Sequence, residues 1–224
     1  MRKPTRAIRL ASVGAAVMAI GLTATTALAA AHDAPSPGTG GAGTWSVSPM
    51  NNFEGGHGVG PAVLSDASTG GKISCAAPFV QPNYKGGMGL THTLVTLKLQ
   101  SFRACKLPDG TAVKVTPVTS SWSMIGEQFN PAANLGATTG RVRGVSLSFS
   151  GSSCSGVLDG TAAGANDGTL TYQYYNNPHW LVFRTWASTL HAYDVSGCAG
   201  IFGDGDPVTI HAVFDVTYLV ITSP

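Results

Sequence analysis

From Thr44 onward, apolar residues alternate with small polar residues at a period of two. The clearest run is VSLSFS at 145–150, and the longest is 208–220, where every second residue is apolar or aromatic. Such alternation is typical of strands with one buried and one exposed face. Thr96 and Ser148 are expected on exposed faces. The predicted buried set is Val95, Leu97, Leu99, Val145, Leu147, Phe149, Ile210, Phe214, Val216 and Tyr218.

Turn sequences separate the alternating runs. They include Pro108-Asp109-Gly110, Asn166-Asp167-Gly168 and Gly203-Asp204-Gly205-Asp206, rich in the residues that tight turns require. No segment after the N-terminal region has helical periodicity. We therefore expect an all-β fold, either an antiparallel β-sandwich or a flattened β-barrel, with about eleven strands.

The N-terminus has the layout of a secretory signal peptide. Basic residues come first, an apolar run follows at 10–22, and Ala27-Leu28-Ala29 supplies the small residues of a cleavage site. We predict cleavage after Ala29, which removes residues 1–29. Residues 30–43 are rich in Pro, Gly and Ala and are expected to be a flexible leader. A single all-β domain over 44–224, secreted or associated with the cell envelope, follows from this division.

Four cysteines lie beyond the predicted signal: Cys75, Cys105, Cys154 and Cys198. An even number of cysteines in an exported chain indicates disulfides, with three possible pairings. We favour Cys75–Cys105 and Cys154–Cys198, because each pair closes a local loop. This pairing also suggests two similar halves, 44–118 and 119–224.

The charge of the chain limits its partners. Removal of residues 1–29 leaves 9 Lys and Arg against 11 Asp and Glu, a formal net charge of −2. Without a basic patch, nucleic acid and anionic lipid surfaces are not expected as partners. No later segment is long and apolar enough to span a membrane as a helix. We expect a monomer.

Catalytic and metal-binding motifs are weak. The segment 144–148 is predicted to be a strand, which excludes a nucleophile elbow there. His191 and His211 lie on predicted strands without metal-ligand spacing, and Asp204 and Asp206 lack the rest of a calcium loop. We expect no enzyme, metal or cofactor, and interpret the chain as a module that serves binding or an extracellular structural role. The alternative is a secreted hydrolase, or a copper-dependent polysaccharide-active enzyme if cleavage after Ala31 made His32 the N-terminal residue.

The hairpin at 171–180 is the best candidate for a ligand site. Tyr172 and Tyr174 share a face predicted to be core, whereas Tyr175 falls on the other face. The candidate patch is Tyr175, Asn176, His179 and Trp180. Aromatic rings beside amide donors suit sugar rings or peptide side chains, so cell-wall or environmental polysaccharide is a candidate partner. The alternative is that Trp180 folds under the hairpin as core.

Several short motifs are distributed over residues 45–224. They are Trp45-Ser46-Val47-Ser48-Pro49, Ile73-Ser74-Cys75, Trp122, Gly151-Ser152-Ser153-Cys154, Val195-Ser196-Gly197-Cys198 with Gly203 and Asp206, and Thr222-Ser223-Pro224. Together they resemble a group of uncharacterised small secreted proteins of actinomycete-type bacteria. The resemblance implies export and a β-rich fold with two disulfides, and it implies no activity. The chain departs from the group by additional aromatics and histidines, including Trp180, Trp186, His191 and His211.

Overall fold

The computed structural model describes residues 45–49, 55–83, 87–90, 93–217 and 219–223, and it is all-β. The predicted signal peptide and leader lie outside these residues. The described part contains sixteen strands and no helix. The strands are β1 (Trp45–Pro49), β2 (Gly56–Gly58), β3 (Ala62–Asp66), β4 (Lys72–Asn83), β5 (Gly87–Leu90), β6 (Thr93–Lys106), β7 (Ala112–Pro117), β8 (Trp122–Asn130), β9 (Ala137–Val145), β10 (Leu147–Gly151), β11 (Ser155–Asp159), β12 (Gly168–Tyr175), β13 (Trp180–Ser188), β14 (Leu190–Ser196), β15 (Pro207–Asp215) and β16 (Leu219–Thr222).

Thirteen of these strands form one antiparallel sheet that closes on itself. Pairing runs from β13 through β12, β9, β8, β6, β4 and β3 to β15, and β15 pairs with β13 again. The all-β prediction is confirmed, with more strands than the expected eleven or so. The closed pairing has the character of a flattened barrel, in which edges are removed by closure.

A second closed path of paired strands shares the two strands β6 and β15 with the first. Along β6, residues 93–97 pair with β8 and residues 102–106 pair with β7. Along β15, residues 207–208 pair with β14 and residues 212–215 pair with β13. From β7 the second path continues through β10 and β11 to β14. The sheet therefore forks at β6 and rejoins at β15.

A smaller sheet of three strands, in the order β16-β1-β5, carries Trp45. The Trp45 ring meets Phe129 of β8 edge to face, with centroids 6.4 Å apart. Gly126 of β8 makes this approach possible, because a Cβ there would lie 2.9 Å from Cζ2 of Trp45 and 2.7 Å from Cδ1 of Leu94. A side chain at position 126 would push the Trp45 ring away.

The interior contains eight of the ten residues that alternation predicted. Leu99 and Tyr218 are the two members of that set whose side chains lie outside the described ones. The remaining eight are all buried: Val95, Leu97, Val145, Leu147, Phe149, Ile210, Phe214 and Val216.

The run 145–150 is not the single strand that its pattern suggested. Strand β9 ends at Val145 and β10 begins at Leu147. Ser146, between them, is fully buried instead of facing outward, and its Oγ donates to Oδ2 of Asp159 over 3.1 Å. The chain changes partners at Ser146, from β12 before it to β11 after it.

The run 208–220 is also interrupted. Strand β15 ends at Asp215, and the chain bends so that the amide of Leu219 donates to the carbonyl of Val216 over 3.4 Å. In β16 the buried residues are Leu219 and Ile221, whereas Val220 is half-buried. The prediction that Val220 lies on the same face as Val208 is therefore wrong, because the bend shifts the alternation by one residue.

Both predicted disulfides are confirmed. Cys75 and Cys105 stand opposite each other on β4 and β6, with Cα atoms 3.9 Å apart. Cys154, between β10 and β11, is joined to Cys198, with Cα atoms 4.3 Å apart. The described residues contain no free cysteine. Two disulfides and no free thiol are typical of a protein of an oxidising compartment.

The buried carboxylate of Asp66 fastens two loops together. Its Oδ1 accepts hydrogen bonds from the amides of Ser68 and Thr69, both at 2.8 Å, and its Oδ2 accepts from Gly203 at 3.3 Å. Burial by itself raises the pKa of Asp66, but the hydrogen bonds from these amides outweigh it and hold the pKa below the ordinary 3.8. The turn after β3 is thereby tied to the loop before β15.

Candidate binding groove

Tyr175 and Trp180 are direct cross-strand partners at the end of the β12–β13 hairpin. The four residues between them include a cis peptide bond at Asn177-Pro178 and His179 at a φ of 71°. On its other side Trp180 stands opposite Asp215 of β15. Cross-strand partners have Cβ atoms about 5 Å apart, so three neighbouring strands place side chains around Trp180.

A groove of about 390 Å³ lies on this outer face. Strand β13 forms its floor through Trp180, Val182 and Arg184, and β15 contributes His211 and Val213. The full lining is Asn134, Tyr175, Pro178, Trp180, Val182, Arg184, His211 and Val213. The groove is therefore mainly apolar, with polar groups at a few places, which is the usual character of a ligand site.

Trp180 is exposed at the groove. Its relative accessibility is 38%, and it is the one aromatic among the large hydrophobic side chains exposed in the described part of the chain. Val182, on the same outer face, is 6% accessible because its neighbours cover it. The sequence-based alternative, in which Trp180 packs under the hairpin as core, does not describe this arrangement.

Arg184 occupies a defined position in the groove. Its Nη2 donates to Oε1 of Gln173 over 3.0 Å and to the hydroxyl of Tyr175 over 3.3 Å. These two hydrogen bonds fix the orientation of the guanidinium. A planar donor group is thus held in a defined position at a mainly apolar groove.

Asn176 has a different role from the one expected for it in the patch. It is buried, and its Nδ2 donates to the carbonyl of Ile221 over 2.8 Å and to that of Leu135 over 3.3 Å. Its Oδ1 accepts from the amide of Ile221 at 2.9 Å. The side chain thus pairs with β16 as a neighbouring strand would, and its donors and acceptor face the protein.

His179 is directed toward the same strand. Its Nδ1 lies 3.2 Å from the carbonyl oxygen of Leu219 and 3.4 Å from the hydroxyl of Tyr174. That hydroxyl itself donates to the Leu219 carbonyl. His179 is half-buried and is not among the groove residues, so the predicted patch contributes Tyr175 and Trp180 to the groove.

Sequence reasoning did not find Arg184 or assign His211 to this site. Arg184 follows Trp180 by four residues, and an even spacing places both side chains on one face of β13. His211 was considered with His191, but His191 stands opposite Pro207, and its Nδ1 lies 3.3 Å from the carbonyl oxygen of Gly160. Strand register therefore separates the two histidines. The side chain of Trp186 lies outside the described ones.

The other candidate sites have structural partners. Oδ1 of Asp204 accepts from the amide of Val195 at 3.3 Å, and the amide of Asp206 donates to the carbonyl of Gly203 over 3.2 Å, as in a turn. Within the described ranges, no three His, Cys, Asp or Glu side chains are grouped closely enough to hold a metal ion. In the same ranges, no helix is long and apolar enough to cross a membrane.

Comparison with known proteins adds no relative. No protein-family model matches the chain, and neither a curated protein nor a solved structure matches it significantly.

Proposed function

We propose that this protein is exported and acts as a non-enzymatic glycan-binding module, with the groove between β12, β13 and β15 as its site. The observation that carries the proposal is the exposed Trp180 beside Tyr175 on the floor of the groove. Sugar rings have apolar C–H faces that pack on aromatic rings, with hydroxyls at their edges for polar partners. The signal-like N-terminus, the two disulfides and the resemblance to small secreted actinomycete-type proteins support export.

The position of the groove favours a glycan over a peptide strand. Strand β13 is paired along both edges, with β12 on one side and β15 on the other. An extended peptide that adds to a sheet needs a free edge with unpaired amides and carbonyls. Since the backbone under the groove is already paired, the ligand must be recognised by side chains alone.

Retention of the secreted protein on insoluble polysaccharides tests this function. The panel contains cellulose, chitin, xylan, bacterial cell wall and cross-linked polygalacturonate, and it is used with the native chain and with Trp180→Ala. We expect the native chain to be retained on at least one of them, and Trp180→Ala to lose at least tenfold in affinity with an unchanged Tm. Val118→Ala, at a residue that is 51% accessible and outside the groove, is the matched control.

Three outcomes would overturn the proposal. The first is no retention on any glycan, and the second is equal retention of native chain and Trp180→Ala. The third is release of soluble sugars during incubation, which would indicate the hydrolase alternative. A lowered Tm of Trp180→Ala would instead identify a structural role for the ring.

A further inference from the structure

On the basis of the proposed glycan function, we infer that the ligand is an extended polysaccharide chain that crosses β12, β13, β15, β2 and β4, and that Asp215 binds its hydroxyls. The site then continues beyond the groove, along a row of outer-face side chains that crosses the strands. A chain of several sugars, rather than a single sugar, is the ligand that such a row accommodates.

Strand register places five side chains in this row. Tyr175 of β12 stands opposite Trp180 of β13, and Trp180 stands opposite Asp215 of β15. Asp215 in turn stands opposite His57 of β2, and His57 stands opposite Phe79 of β4. Direct cross-strand partners lie on the same face of a sheet, so all five side chains share one face. Neighbouring strands are about 4.8 Å apart, which makes the row roughly 19 Å long.

The whole row is accessible from outside. Trp180 and His57 are exposed, and Tyr175, Asp215 and Phe79 are half-buried. The residues next to Trp180 and Asp215 on the opposite face of their strands, Leu181 and Phe214, are fully buried. A ligand that stacks on Trp180 therefore meets Asp215 and His57 when it extends across the neighbouring strands.

The row has aromatic rings at its two ends and polar groups between them. Tyr175 and Trp180 provide the rings at one end, and Phe79 provides the ring at the other, with its centroid 5.1 Å from that of His57. Gly55 gives the Phe79 ring its place, because a Cβ at position 55 would overlap Cζ of Phe79. Polysaccharides present apolar C–H faces with hydroxyls at their edges, which matches a row of rings and polar groups.

Asp215 is the hydrogen-bond acceptor at the centre of the row. Its Oδ1 accepts from the hydroxyl of Thr217 over 2.8 Å, and in the described part of the chain its carboxylate has no other hydrogen bond. An ionised carboxylate only accepts, and its bonds to hydroxyl donors are stronger than those between neutral groups. The sugar over Asp215 is therefore an uncharged one that presents its hydroxyls, since an anionic sugar there would meet a like charge.

Chain-length dependence tests the row. Calorimetry measures the affinity of the secreted native chain for cello-, chito-, xylo- and galacturonate oligosaccharides of two to six sugars. Decaproline is included as the alternative occupant, because proline-rich peptides dock on aromatic surfaces. In at least one oligosaccharide series we expect affinity to rise at least tenfold from the disaccharide to the hexasaccharide.

Two variants show which residues supply this gain. Asp215→Asn keeps the shape and the acceptor for Thr217 but removes the charge, and it should lower affinity for the hexasaccharide by roughly threefold to tenfold. His57→Ala, at an exposed residue outside the groove, should lower affinity for the hexasaccharide by at least about threefold and leave the disaccharide on Trp180 unaffected. Asp194→Asn, exposed and away from the row, should behave as native.

The outcomes separate the two proposals. Affinity that does not rise with chain length in any series would refute the row while the glycan function stood. The same holds if a folded Asp215→Asn or His57→Ala keeps the native affinity for the hexasaccharide. Absence of binding to every oligosaccharide and polysaccharide, with or without binding of decaproline, would refute the function itself. If Asp215→Asn fails to fold, the chain-length dependence of the native chain and of His57→Ala decides.

Discussion

The hydroxyl of Tyr175 lies 3.3 Å from Nη2 of Arg184 and joins the aromatic and cationic parts of the groove. The bond runs diagonally across the β12–β13 hairpin, because Tyr175 stands opposite Trp180 and Arg184 stands opposite Thr171. One side chain thus supplies a ring to the groove and also orients the guanidinium. Tyr175 therefore lines the groove and also fixes the position of a polar group beside it.

Tyr175→Phe separates these two contributions, since it keeps the ring and removes the hydroxyl. We expect affinity for the glycan that retains the native chain to fall by roughly twofold to tenfold, with an unchanged Tm. Tyr193→Phe is the control, because that hydroxyl donates to the carbonyl of Gly160 over 2.9 Å, away from the groove. An affinity equal to that of the native chain would contradict a role of this hydroxyl at the groove.

Asn176→Ala should destabilise the fold. The substitution leaves the amide and carbonyl of Ile221 without their side-chain partners in a buried place, at a cost of about 2–3 kcal/mol in the free energy of unfolding. Urea denaturation measures this cost. Asn177→Ala, next in the chain and exposed, should change stability by less than about 0.5 kcal/mol. Similar values for the two variants would contradict the structural role of Asn176.

Because Ser146 is buried, substitutions of Ser146 and Ser148 should differ in cost, whereas the alternating pattern alone places both serines on the outer face. Phe149→Ala should cost about 3–5 kcal/mol, because the ring is fully buried. Ser146→Ala should cost about 1–2 kcal/mol through its lost hydrogen bond to Asp159, whereas Ser148→Ala, half-buried on the outer face, should be near neutral. Equal effects of the two serine substitutions, measured as denaturation midpoints, would contradict the burial of Ser146.

Asp66 makes stability depend on acid pH. Because its pKa is lower in the folded protein than the ordinary 3.8, its contribution is present above that value and is lost as the pH falls through the folded pKa. We expect Asp66→Asn to be less stable than native at pH 6, with the difference shrinking below about pH 3.8. Thermal unfolding from pH 2 to pH 7 measures this, with exposed Asp194→Asn as control. A difference that stays constant with pH would contradict the assignment.

Tyr172 makes stability depend on alkaline pH. Its ring is fully buried, and its hydroxyl has no hydrogen-bond partner in the described part of the chain. Burial first, and then the negative charge of Glu127, raise the pKa of Tyr172 well above 10. Its contribution to stability is complete below about pH 10 and is lost as the pH rises further, because only the unfolded chain ionises there.

Tyr172→Phe should remove this alkaline loss. It should also be neutral or stabilising by up to about 1 kcal/mol at pH 7, since it removes a buried hydroxyl without a partner. Absorbance at the tyrosinate band during alkaline titration counts the groups that ionise before unfolding. Ionisation of Tyr172 in the still-folded native chain would contradict its burial.

Sequence patterns predicted the features that depend on residues close together in the sequence. They missed the features that depend on pairing between distant strands. Alternation identified eight residues of the core, and cysteine spacing identified both disulfides. The fork at β6 and β15 is set by contacts between residues far apart in sequence, which alternation does not encode. The changes of register at Ser146 and before Leu219 occur inside alternating runs. Gly144, at a φ of 79°, precedes the first change by two residues, whereas no Gly or Pro stands at residues 215–219.

The same limit applies to the groove. Tyr175 and Trp180 were recognisable because one short hairpin contains both. Arg184 and His211 come together only through pairing of β13 with β15, and a lone arginine or histidine on a strand gives no signal of its own. Asn176 was misplaced because its partner, Ile221, is distant in sequence.

Closure of the large sheet has a consequence for the solubility of the chain. Among the described strands, every member of the thirteen-stranded sheet has neighbours on both sides. Exposed strand edges are the places where sheets of separate molecules join into insoluble assemblies. The small sheet ends at β16, and there the Asn176 side chain occupies the amide and carbonyl of Ile221. The Asn176 side chain therefore lies where a strand of a second molecule would otherwise pair with β16. We expect loss of Asn176 to lower the stability of the protein and also to make it precipitate more readily.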